Sequence, residues 1–116
     1  VVPCAEALEN KIYSDKFHKG FTGTAGGFYG PQGRVVRLNI QDPQLNSKMD
    51  AFNFNGTRMT NLEMETSAIY GLGKLLGHNC LSLNAIIANR AVGEFSTNSE
   101  KTVNELIAYT LDKLVG

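Results

Sequence analysis

The chain has 116 residues, in which eleven Lys and Arg balance eleven Asp and Glu, with 42% hydrophobic and 19% charged residues. That length fits one domain, and no apolar run approaches the roughly 20 residues that cross a bilayer, which argues against a membrane protein or a disordered tail. A sequence pI near 6.9 leaves no basic surplus for phosphate contacts, so small molecules or proteins are expected as partners, with no nucleic acid and no membrane.

Taken in chain order, Pro3 to Lys16 carries Ala5, Leu8 and Ile12 at near-helical spacing, with Pro3 suited to a first turn. Phe17 to Thr24 predicts a strand running into a loop over Ala25–Gly33, and Arg34–Ile40, rich in β-branched residues, predicts a second. Six of the twelve glycines fall between Gly20 and Gly33, so this loop turns tightly or brings backbone close to something. Between Asp42 and Asn55 the pattern weakens, and Leu45, Met49, Phe52 and Phe54 suit one helix face or a mobile flap. Asn61 is placed to cap a helix over Leu62–Leu76 that Gly77 ends. The apolar run Cys80–Ala88 predicts a central strand. Asn98–Leu114 predicts a last helix, with Thr97 and Glu100 as a capping box. The order of elements argues for an α/β layer architecture.

Cys4 and Cys80 lie far apart in a chain that needs no staple at this size, and both read as reduced cytosolic thiols. His18 and His78 are also far apart, and no Cys-x-x-Cys or His-x-x-x-His spacing exists, so no metal is expected. The glycine loop matches the four-residue GXXG pattern three times over without basic flanks, and it offers no GxGxxG or GK[ST].

Three constellations carry possible chemistry. Gln32 and Arg34, two apart, project to one side of an extended segment; a planar amide beside a guanidinium suits a planar imide, and Phe28 could pack on a ring held there. The same residues would also serve a plain solvent-exposed turn. Glu63-Met64-Glu65 sets two carboxylates around an apolar residue, useful for gripping vicinal hydroxyls while Met64 packs on sugar carbons, yet acids favour any helix first turn. Asn89-Arg90 ends the predicted central strand, where open α/β sheets bind ligands, although Arg90 could equally pair with Glu94 on the surface.

In this order and at these separations, the three constellations together with His18-Lys19-Gly20 resemble the C-terminal half of nucleoside phosphorylases, and among them the uridine phosphorylases. The resemblance implies a three-layer α/β/α fold around a mixed twisted sheet, of which residues 1–116 would be the C-terminal part of a single domain. Val1, which is neither an initiator Met nor the start of a leader, agrees with that expectation. It also implies phosphate-dependent, reversible cleavage of uridine to uracil and ribose 1-phosphate, in pyrimidine salvage and catabolism in the cytoplasm. Gln32 and Arg34 would read the uracil edges, Phe28 would pack on the ring, Glu65 would hold the ribose hydroxyls, Met64 would line the sugar, Glu63 would stand close by and Arg90 would guard the base pocket. Gln32, Arg34 and Glu65 would be the catalytic residues.

Purine-handling relatives typically carry Ser-Asp where this chain reads Asn89-Arg90. The resemblance further implies no cofactor beyond phosphate as co-substrate, and a homodimer or hexamer. The family's phosphate-holding turn and arginines belong to an N-terminal half with no counterpart here; Arg37 and Arg58 are poor substitutes, so the 116 residues alone are expected to be inactive. Two other readings remain: a relative of different base preference, phosphorylase or nucleosidase, and a non-catalytic nucleoside-binding module.

Overall fold

The computed structural model describes residues 1–90 and 92–116. It is an α/β fold built on a mixed three-stranded sheet of order β1-β3-β2, formed by β1 (Phe21–Thr24), β2 (Asn53–Phe54) and β3 (Thr57–Glu63). Helix α1 spans Glu6–Ile12, α2 Leu45–Ala51, α3 Thr66–Leu75 and α4 Ser99–Val115, and a small hairpin pairs β4 (Ala88–Asn89) with β5 (Glu94–Phe95).

Strands β1 and β3 run parallel, with Thr22 beside Asn61, Gly23 beside Leu62 and Thr24 beside Glu63. Their shared direction places both C-terminal ends at one edge of the sheet. Strand β2 returns antiparallel through the turn Asn55-Gly56, both residues at positive φ (51° and 82°), as a two-residue hairpin turn demands. On one sheet face Phe21 meets the edges of Phe52 and Phe54, with ring centroids 6.0 and 5.7 Å apart. At the other end of the chain α1 and α4 pack together: the Tyr109 hydroxyl donates to the Ile12 carbonyl at 2.8 Å, Phe17 leans on the Tyr109 ring, and Ile12 is buried to 3% exposure.

Several expectations are corrected. Asn61 is not a helix cap but a residue of β3, and α3 begins five positions past it. Arg58 likewise lies in β3, where it binds the Asp50 carbonyl at 2.9 Å. Segment Arg34–Ile40 forms bends in place of a strand, leaving Val35, Val36 and Leu38 exposed. In the run Cys80–Ala88 only Ala88 joins a ladder. A strand is defined by its neighbours, and the described residues supply none for positions 80–87 beyond isolated bonds such as Ala5 N–H to the Cys80 carbonyl. The capping box also fails to form: α4 starts after Asn98, and the Ser96 hydroxyl accepts the Asn98 N–H at 3.2 Å. Gly77 does end α3 with φ 77°.

The accessible surface is 8874 Å², against about 6,200 Å² for a compact monomer of this mass. Many large apolar side chains are exposed. Helix α3 exposes Ile69, Leu72 and Leu75, and α4 exposes Ile107 and Leu111. No helix among the described residues is long and apolar enough to cross a membrane.

Candidate active site

Two loops leave the sheet side by side. The first follows Thr24 at the end of β1 and contains the 3₁₀ turn Gly30–Gln32; the second is Met64-Glu65, between β3 and α3. Ligands of α/β sheets bind beyond the carboxyl ends of parallel strands, which is where both loops lie.

The first loop is tied by its own backbone. The N–H groups of Gln32 and Arg34 both donate to the Tyr29 carbonyl, at 3.1 and 2.9 Å, and Gly33 N–H donates to Gly30. Gly33 closes the turn with φ 75°, a left-handed conformation that glycine takes without steric cost. Gln32 is 4% exposed, and its side-chain oxygen accepts from Arg34 Nη1 at 2.6 Å. The same Nη1 reaches the Phe28 carbonyl at 2.5 Å, and the guanidinium lies over the Phe28 ring at 3.8 Å. Arg34 therefore knits Phe28 and Gln32 into one unit, with the Tyr29 ring edge-on to Phe28 at 5.2 Å. Among the described residues no hydrogen bond from the Gln32 NH₂ group is found, and its oxygen retains a second lone pair.

In the second loop the two carboxylates differ. Glu63 accepts from the Glu65 and Thr66 backbone N–H groups, at 2.5 and 2.7 Å, and from the Thr24 hydroxyl. Burial acts to raise its pKa, but those three donors outweigh it and hold the carboxyl below the usual glutamate value. Thr24 in turn accepts the Ser67 N–H at 2.9 Å. Glu63 thus serves as the cap of α3, fastening β1, β3 and the helix start. Glu65 is exposed at the helix cap position with no side-chain cap bond, and Met64 beside it is 40% exposed.

Arg90 follows β4 and comes near the first loop. Partial burial and the like charge of Arg34 both lower its pKa. Its Nη2 points to the Asn46 side-chain oxygen at 3.5 Å, and no pairing with Glu94 forms among the described residues. Phe28, Gln32, Arg34 and Arg90 are thus gathered in one neighbourhood, and Glu63, Met64 and Glu65 stand at the adjoining strand end. Lys19 lies apart, paired with Glu9 and set over the Tyr13 ring at 4.2 Å. Sequence reasoning missed Thr24 and Asn46. Thr24 carried no signal beyond ending a predicted strand, and Asn46 sat where the periodicity was weakest.

An α/β sheet with these two loops at one edge has the fold of the nucleoside phosphorylases. A solved structure similar to this chain is the nucleoside phosphorylase of Trypanosoma brucei, which shows uridine phosphorylase activity; the TM-score is 0.82 at 25% identity, over 98% of this chain and 42% of that chain. The chain thus spans less than half the length of that enzyme, and the likeness bears on the fold. No family model matches the chain, and no curated protein matches it.

Proposed function

We propose that this chain is the base- and sugar-holding portion of a uridine phosphorylase, which cleaves uridine with inorganic phosphate to uracil and ribose 1-phosphate. The observation that carries the reading is the parallel register of Thr24 with Glu63, which brings the Phe28–Arg34 loop and the Glu63–Glu65 segment to one strand edge. A uracil edge presents carbonyl, N–H and carbonyl in a row. Gln32 can match a carbonyl and the N–H with its NH₂ group and its oxygen, and Arg34 can donate to the other carbonyl. Phe28 supplies an apolar flank, and Arg90 adds positive charge near Arg34.

In the reaction, phosphate attacks the anomeric carbon as the C–N bond breaks; the electron pair goes to uracil and the sugar passes through an oxocarbenium-like state. No separate general acid is needed when the developing base anion meets Arg34 and Gln32 already in place. Each preorganised donor of this kind contributes about 2.7–4 kcal/mol to lowering the barrier. Glu65 would accept hydrogen bonds from the ribose hydroxyls beside Met64, with Glu63 holding the segment through its cap. Cytidine, with an amino group where uridine has a carbonyl, would leave donors facing donors and be a poor substrate.

Phosphate would be held by polypeptide outside residues 1–116. The large accessible surface, and a run at 80–87 that joins no ladder among the described residues, support a chain completed by an N-terminal half and by assembly into a homodimer or hexamer; a cytoplasmic location belongs to the same proposal. Substrate profiling of the full-length protein tests the reading: phosphate-dependent release of uracil from uridine is expected, and release only of purine bases, or ligand binding without turnover, would overturn it.

A further inference from the structure

We propose that Asn46 is a positioning residue that holds the base-reading loop and Arg90 on one side-chain amide; the idea rests on the reading of that loop as the base site. Asn46 lies in the first turn of α2. Its Nδ2 donates to the Gly33 carbonyl at 3.0 Å, and its Oδ1 faces Arg90 Nη2 at 3.5 Å. A carbonyl only accepts and a guanidinium only donates, so the two partners fix which end of the amide points where.

Gly33 is the residue between Gln32 and Arg34, and a Cβ there would collide with the Asn46 side chain. The clamp therefore acts on the peptide that joins the two base-reading residues. Internal bonds to Tyr29 and Gly30 curl the loop, and among the described residues Asn46 supplies a hydrogen bond that ties the curl to the rest of the chain. It also faces an electrostatic conflict: Arg34 and Arg90 are close enough for their like charges to oppose each other, and neither has a carboxylate partner among the described residues. The Asn46 oxygen offsets part of that repulsion at Arg90. An Asp at this position would satisfy Arg90 more strongly but set its own oxygens against the Gly33 carbonyl, so only the amide serves both.

The test compares wild type, Asn46→Ala and Asn46→Asp in the full-length protein, by amide hydrogen exchange and by steady-state kinetics. Loss of one clamp bond predicts that the Gln32, Gly33 and Arg34 amides exchange about tenfold faster in both variants while α4 amides are unchanged. It also predicts a uridine KM about tenfold higher with the phosphate KM unmoved. Unchanged exchange at residues 32–34, or uridine and phosphate KM values rising together, would overturn the positioning role. Should Asn46→Ala fail to fold, the isosteric Asn46→Asp carries the test. Should the wild type cleave no uridine, the base-site reading falls, and the exchange measurement decides the role of Asn46 by itself.

Discussion

Glu63 and Thr66 are joined by a 2.7 Å hydrogen bond from backbone N–H to carboxylate, which fastens the first turn of α3 to the end of β3. Because Glu63 also takes the Glu65 N–H and the Thr24 hydroxyl, one carboxylate ties two strands and a helix. Its removal is a loss of stability before it is a loss of binding.

Glu63→Ala is expected to destabilise the fold by about 1–2 kcal/mol, the range for deletion of a helix cap. The effect depends on pH. Glu63 has a folded pKa below its unfolded one, so its charge stabilises the fold above the ordinary value of 4.5 and loses that contribution as pH falls through the folded pKa. Urea unfolding should therefore show a gap between wild type and Glu63→Gln at pH 7 that narrows toward pH 3. A gap of the same size at both values would contradict the role of the charge.

Arg34 is tested by replacement with Lys, which keeps the charge and discards the planar guanidinium that lies over the Phe28 ring while its Nη1 binds Gln32 and the Phe28 carbonyl. Uridine kcat/KM in the full-length protein should fall about 10²–10³-fold in Arg34→Ala, the usual cost of one preorganised donor. Arg34→Lys should recover only part of that. Full activity in either variant would remove Arg34 from the chemistry.

The isolated 116 residues should release no uracil from uridine, with or without phosphate. With so much apolar surface on α3 and α4, they should bind a hydrophobic dye strongly and unfold with a shallow dependence on urea. Phosphate-dependent turnover by this chain alone would show that it holds its own phosphate site.

Gly56→Ala examines the hairpin that delivers β3. No atom lies near enough to obstruct a methyl group, so the whole cost comes from φ 82°, and about 1 kcal/mol is expected. Thermal unfolding would register this as a drop of a few degrees.

The residues proposed for the site stand out in the sequence because each belongs to a short, chemically distinctive cluster. The scaffold beneath them was only partly so. Helix α4 announced itself through the stripe Val103, Leu106, Ile107, Leu111 and Leu114, and Gly77 through the left-handed stop it provides. Strand β3 was hidden because Leu62 and Met64 sit in phase with the α3 stripe that follows, which drew the helix start back into the strand; Asn55-Gly56 was the overlooked hairpin signal. Cys80–Ile87 has the composition of a buried strand, but composition cannot say whether neighbours are present to pair with it. Asn46 had no signature, since an amide gains meaning only from the two groups it bridges.

The register of β1 against β3 also sets what may be changed along this chain. Between Thr24 and Glu63 the polypeptide travels through the base-reading loop, α2 and a hairpin before returning to the same edge, and within that excursion the exposed bends at 35–39 can be lengthened or trimmed at modest entropic cost. One residue added inside β3 is another matter. Every side chain would change faces, and the Glu63 carboxylate would turn away from Thr24 and the start of α3. For anyone engineering this fold, the bends at 35–39 are the adjustable part, and the seven residues of β3 are the ruler.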